Sequence, residues 1–154
     1  MIDPAFGHWL AGFTDGEGAF VIRESNGTYP CMFEIGLRRD DKSILETIQQ
    51  TLGIGRINFS HQRDTILRPN ANPKAQFRVQ SKRDCIILRD VFNMYPLRAK
   101  KAQDFVIWSA AVDFWVQHKL GDSWENIISL REQLRFIRTY KEECERVAQL
   151  SAQG

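Results

Sequence analysis

Trp9-Leu10-Ala11-Gly12-Phe13-Thr14-Asp15-Gly16-Glu17-Gly18 is the stretch from which the rest of the chain is read. Phe6, Trp9, Leu10 and Phe13 recur at helical spacing, which predicts one apolar helix face leading into it. Ala11, Gly12 and Gly16 are small. Gly12 and Gly16 lie four residues apart, so a second helix backbone can come close on that side. Two carboxylates, Asp15 and Glu17, follow among glycines that end the helix. A helix C-terminus carries partial negative charge and prefers cations, so acids there are unfavourable unless a cation or a donor sits beside them. A close-packing helix that delivers acids at its C-terminal end has the make-up of a metal site built at an interface. The plain alternative is an amphipathic helix with a glycine-rich cap, but a cap needs only one of these glycines and neither acid.

Beyond Gly18 the period changes. Residues 19–25 read as a strand, Asn26-Gly27 as a hairpin turn, and Pro30 opens a returning strand over 31–38. In that strand Phe33, Ile35 and Leu37 share one face, and Met32, Glu34, Gly36 and Arg38 the other. Asp40 or Asp41 is placed to cap a helix with a buried stripe of Ile44, Leu45, Ile48 and Leu52, ended by Gly53. A third strand spans 54–60. A long connection over 61–74 carries Arg63, Arg68 and Lys74, and a loop of that length inside a domain is often functional. The fourth strand, 75–80, places Phe77 and Val79 inward and Gln76, Arg78 and Gln80 outward. Ser81-x-x-Asp84 is a capping box for a helix through Leu88 and Phe92 that stops before Pro96. From Leu97 a longer helix aligns Lys101, Phe105, Trp108, Val112 and Trp115, and Gly121 closes it. Asp122 and Ser123 are placed to cap a final helix with Ile127, Leu130, Leu134, Ile137 and Cys144 on one stripe. The order α-β-β-α-β-β-α, with C-terminal helices, predicts an α+β fold with a four-stranded antiparallel sheet.

The 154 residues suit a single domain over 1–154. No apolar run is long enough to span a bilayer and no secretory leader is apparent, so no membrane partner is expected. Cys31, Cys85 and Cys144 are odd in number and form no CxxC pair, which excludes the usual zinc and disulfide frameworks and predicts an intracellular setting. The net charge is only +2, but it is unevenly spread: residues 56–101 hold eleven basic and three acidic groups. Such a block can form a basic face on a nearly neutral protein.

Residues 10–18 resemble the motif that names the LAGLIDADG homing endonucleases, with Phe13, Thr14 and Glu17 as variants. The motif occurs once, so the resemblance is to the single-motif branch, which dimerises through the motif helices. It implies an interface of Leu10, Ala11, Gly12, Asp15 and Gly16 around a twofold axis. It also implies site-specific double-strand DNA cleavage across the minor groove of a long pseudo-palindromic target, leaving 3′ overhangs. The metal ligands would be the second acid, Glu17, and the carbonyl of Gly16, with Asp15 structural. Paired acids at an axis repel unless cations sit between them, and hard oxygen donors select Mg²⁺. Mn²⁺ is expected to substitute, and Ca²⁺ to support binding without cleavage. The family's active-site lysine follows an apolar turn; Pro96-Leu97-Arg98-Ala99-Lys100-Lys101 matches it, with Lys100 the better placed. One branch has a water-positioning Gln where an ungapped count puts Leu37, a departure that leaves the role to Arg38, Arg39 or ordered water.

DNA recognition is expected on the outward sheet face: Val21, Arg23, Ser25, Met32, Glu34 and Arg38 on the first hairpin, and Arg56, Asn58, Ser60, Gln76, Arg78 and Gln80 on the second. Arg suits guanine edges and Gln or Asn adenine edges in the major groove. Asn26, Thr28, Arg63, Arg68 and Lys74 suit phosphates. Double-stranded DNA and a second copy of the chain are the expected partners. The alternatives on this fold are a non-cleaving DNA-binding regulator, an intron RNA maturase with RNA as ligand, and a metal-free structural homodimer. The cytoplasm of a prokaryote and an organelle fit equally well as settings.

Overall fold

The structure, a computed structural model, describes residues 1–60 and 73–153. Helix α1 (Pro4–Glu17) feeds directly into β1 (Gly18–Ile22). Strand β2 (Cys31–Arg38) and a 3₁₀ turn (Arg39–Asp41) follow, then α2 (Lys42–Leu52), β3 (Arg56–Phe59), β4 (Lys74–Val79), α3 (Lys82–Met94), α4 (Lys101–Gln117) and α5 (Glu125–Ala152). The four strands are antiparallel in the order β1-β2-β4-β3. This is the α+β architecture with C-terminal helices that the pattern predicts. Strand β2 has the predicted bounds, because its alternation starts at Pro30. Strands β1 and β3 are shorter than predicted, and Lys74 belongs to β4 rather than to the connection before it.

The pleat sorts the side chains. Phe20, Ile22, Phe33, Ile35, Phe77 and Val79 are buried on one face, under the helices. There Phe20, Phe33, Phe92, Phe105 and Trp108 form an aromatic knot: the Phe20 centroid lies 5.1 to 5.9 Å from each of the other four. Burying each of these rings contributes roughly 2–3 kcal/mol. The indole N–H of Trp108 donates to the Met32 carbonyl at 3.0 Å, so its one polar atom is satisfied. Asn26 and Gly27 both have positive φ, the geometry of a tight hairpin turn, as that dipeptide predicts. Ser81 caps α3 by accepting from Asp84 N–H, while the Asp84 carboxylate holds Gly55 N–H.

Several details depart from the sequence pattern. The buried line of α1 is Gly7, Leu10, Ala11 and Thr14. Phe6 and Phe13 pack against the core from its flank, and Trp9, exposed between them, stacks on Phe13 and lies tilted against Phe6. The reason is distance: a Cβ at Gly7 would lie 2.4 Å from the Tyr95 ring, so only small residues let α1 settle this close. Neither Asp40 nor Asp41 caps α2 through its side chain, and Asp40 pairs with Arg38 instead. On α5, Ile127 and Leu134 are buried, but Cys144 is exposed because the core ends before that turn.

Helix α5 also closes one edge of the sheet. Arg131 and Arg138, two turns apart, donate to the carbonyls of Ile22 and Phe20 on β1. Arg138 is held in turn by buried Asp104. Edge carbonyls occupied in this way are no template for a foreign strand. Among the described residues, no helix is long and apolar enough to cross a membrane.

Candidate active site and nucleic-acid interface

Glu17 ends α1 with its side chain exposed. It borders a groove of about 650 Å³ walled largely by the outward sheet face, including Arg38, Asn58, Ser60, Lys74 and Gln76, with Leu37 also at its edge. The structure therefore brings the second motif acid and the second hairpin together. The carbonyls of Gly16 and Glu17 lie in the last helical turn and have no intrahelical donor. Gly12 and Gly16 are exposed, and a Cβ at either would meet nothing within 4 Å. One side of the motif helix is thus open to a close neighbour. Leu10 and Ala11, expected at the interface, are 1% and 3% exposed and belong to the chain's own core. Ala11 still reaches a second groove beside Gly12, lined also by His8, Asp15, Pro96 and Arg98.

Asp15 is committed to its own chain. Its carboxylate accepts from the backbone N–H of Arg98 at 2.9 Å and of Ala99 at 3.1 Å. Lys100, the residue at the start of α4, offers no side-chain cap of its own. The cap for this turn therefore comes from α1, which fixes the turn against the motif. The lysines behind it separate. Lys100 is exposed and pairs with Glu145 of α5 at 3.2 Å. Lys101 is half-buried, and its ammonium donates to the Asp15 carbonyl at 3.4 Å, at the same helix end as Glu17. Lys101 heads the stripe of Phe105, Trp108, Val112 and Trp115, and Lys100 lies one residue off it, so the two ammonium groups leave the turn in different directions.

One chain offers Glu17 and backbone carbonyls, all hard oxygen donors of the kind Mg²⁺ and Ca²⁺ take. Among the described residues no three His, Cys, Asp or Glu side chains cluster in a way that could hold a metal. The residues fit a cation that shares ligands with a second chain and a phosphate, and do not fit a closed site within one chain.

On the outward face Glu34, Gln76 and Arg78 form one network. Glu34 Oε2 accepts from Gln76 Nε2 at 2.9 Å and from Arg78 Nε at 3.3 Å. Arg78 Nη2 donates to Gln76 Oε1 at 2.8 Å. Arg56 and Asn58 lie cross-strand from Arg78 and Gln76 and are exposed. Ser60 Oγ accepts from Lys74 N–H. Gln80 and Lys74 are exposed, and Val21 is half-buried. At the hairpin tip Arg23, Ser25, Asn26 and Thr28 are exposed, with the Thr28 hydroxyl donating to the Ser25 carbonyl. Met32 is a correction. It pairs with Val21 on the outward side but is only 7% exposed, so it presents almost no surface to a base. Leu37 lines the groove beside Glu17. Of its neighbours, Arg38 also lines the groove, whereas Arg39 lies 5.0 Å over the Phe59 ring. Arg63 and Arg68 lie outside the described residues.

An antiparallel sheet with a polar outward face, and a small-residue helix that delivers an acid to its margin, define a LAGLIDADG-type domain. The chain belongs to the LAGLIDADG endonuclease family, whose family model matches residues 10–112. It is similar to the probable intron-encoded endonuclease Cox1-I1b of Schizosaccharomyces pombe, 26% identical over 112 residues covering 70% of this chain and 27% of that protein. Among solved structures it resembles the LAGLIDADG meganuclease I-AabMI bound to uncleaved DNA. That likeness has a TM-score of 0.70 at 28% identity and covers 81% of this chain and 43% of that one. The homing endonuclease I-TnaI shares the fold, with a TM-score of 0.66 at 19% identity, over 87% of this chain and 96% of that one. The chain spans about a quarter of the length of the curated relative.

Proposed function

We propose that the chain is one half of a symmetric, divalent-metal-dependent, site-specific double-strand DNA endonuclease acting inside a cell, in an organelle or a prokaryotic cytoplasm. The observation that carries this reading is Glu17: an exposed acid at the end of a helix whose glycine side is open, at the margin of a groove walled by the outward sheet face. Two copies packed through Gly12 and Gly16 would bring two Glu17 carboxylates together, one for each strand of a pseudo-palindromic target. The cut would fall across the minor groove and leave 3′ overhangs, as the family resemblance implies.

Glu17 and the Gly16 carbonyl of each copy would hold Mg²⁺, for which Mn²⁺ would substitute, while Ca²⁺ would support binding alone. A bound cation supplies an activated water and neutralises charge on the phosphate. The chain's own residues do the rest. Lys100, with Lys101 beside it held at the Asp15 carbonyl, would supply the ammonium that offsets negative charge growing on the phosphate. Asp15 keeps the lysine-bearing turn fixed to the motif helix. Leu37 cannot orient a water, so Arg38, its neighbour in the groove, is the side chain for that step. The outward strands hold the major groove, with Arg23, Ser25, Asn58, Ser60 and Gln80 against the duplex, and Asn26, Thr28 and Lys74 on phosphates.

The test is a selection on a randomised duplex library with Mg²⁺. The reading expects one enriched pseudo-palindromic site, cut on both strands. A site that is bound but never cut with any divalent cation contradicts it and favours the regulator. Preference for intron RNA over every duplex contradicts it in favour of the maturase.

A further inference from the structure

We infer that Arg78 reads a guanine in each half of the DNA target, that Glu34 is the positioning residue that aims Arg78, and that Gln76 reads no base. This rests on the DNA-cleaving reading above and names part of its specificity. Arg56 and Arg78 are direct cross-strand partners on the same outward face. Like charges placed opposite one another destabilise a sheet. Glu34 answers only one of them: it pairs with Arg78 at 3.3 Å, and among the described residues no carboxylate pairs with Arg56. A cationic pair left half-compensated on an open face calls for an acceptor from outside.

The network says which acceptor. Arg78 donates through Nε to Glu34 and through Nη2 to Gln76, with Nη2 also 3.3 Å from Glu34 Oε2, which leaves both Nη1 hydrogens outside the network. The side chains of Arg78 and Glu34 are 28% and 23% exposed, so the pair is shielded and the guanidinium has one preferred direction. Donors without acceptors match guanine, whose major-groove edge presents two acceptors, O6 and N7. Gln76 has the opposite problem. An adenine contact needs one amide hydrogen and one oxygen lone pair turned together toward the base, whereas here one hydrogen goes to Glu34 and one lone pair to Arg78, which holds the amide within the network. Its part is to brace Arg78.

The test is base preference at every position of the selected target, measured by binding selection from a duplex library with wild type, Arg78→Ala, Glu34→Ala, Glu34→Gln and Gln76→Ala. Wild type should prefer guanine at one position per half-site by about tenfold or more. Arg78→Ala should flatten that position alone. Glu34→Ala should flatten the same position with the others unchanged, which also shows that the variant is folded, and Glu34→Gln should restore part of the preference. Gln76→Ala should create no loss at any adenine. The inference is overturned if Gln76→Ala relaxes a different base pair, if Glu34→Ala relaxes a cytosine of its own, or if Arg78→Ala weakens all sequences equally as a phosphate contact would. Selection of no duplex by the wild type would instead defeat the endonuclease reading itself.

Discussion

Replacing Asp15 separates a structural acid from the proposed metal-binding acid two residues away. Its carboxylate caps two backbone N–H groups, of Arg98 and Ala99, more than eighty residues along the chain. Loss of a helix-capping side chain costs about 1 kcal/mol, and hydrogen bonds to a charged group contribute roughly 1.5–3 kcal/mol when shielded. Here the two bonds are exposed to water, which rehydrates the freed donors, so the lower end applies: about 2 kcal/mol for Asp15→Ala. Asp15→Asn keeps one acceptor oxygen and should lose roughly half of that. For a chain of this size the Asp15→Ala loss lowers Tm by about 4–8 °C. Urea titration followed by circular dichroism gives the free energies, and a melt gives the temperatures. Asp15→Asn, once folded, should still cut DNA. Equal stability of Asp15→Ala and wild type, or an Asp15→Asn protein that is fully stable but cannot cut, would refute the assignment of Asp15 as a cap.

Three further outcomes follow from particular atoms. Gly12→Leu places its side chain in open space in one chain, so it should still fold yet sediment as a monomer where wild type is expected to be a dimer; a dimeric variant would contradict the proposed packing. Thr14 is fully buried and its hydroxyl has no hydrogen-bond partner among the described residues, so Thr14→Val, of the same shape, should raise stability by roughly 1 kcal/mol in a urea titration, and a loss would show the hydroxyl is satisfied. Burial pushes the Cys85 thiol up to about 12 and raises Cys31 as well, so both stay neutral in the fold. Above the ordinary thiol value of 9.0 the unfolded chain ionises first, and stability falls as pH rises. At pH 8.5 the native protein should accordingly take up one iodoacetamide, at exposed Cys144; rapid labelling of all three cysteines would contradict the burial.

Local signals were legible where one short stretch carries the physics. The alternation after Pro30 sets β2, Asn26-Gly27 sets its hairpin, and Ser81 sets the start of α3. The motif located the acid at the groove because residue type and spacing are its whole content. Long-range facts were hidden. Of the apolar face Phe6, Trp9, Leu10 and Phe13, Leu10 is buried and Phe6 and Phe13 pack against the core, while Trp9 is exposed; the closeness of Tyr95 to Gly7 is a tertiary fact that apolar spacing does not show. The partners of Asp15 lie on the far side of the sequence, and no local pattern names them. Lys100 and Lys101 differ by one residue, about 100° around a helix, enough to send one ammonium to Glu145 and the other to the motif. The clamp of Arg131 and Arg138 on β1 depends on tertiary contact, so those residues read as ordinary helix-surface charge.

The most direct test of the central claim is single-turnover cleavage of the selected duplex by wild type and by Glu17→Gln, with Mg²⁺ and with Ca²⁺. The account predicts that wild type cuts both strands with Mg²⁺ and only binds with Ca²⁺, and that Glu17→Gln binds with unchanged base preference and leaves the duplex whole. A Glu17→Gln protein that cuts at the wild-type rate would contradict it.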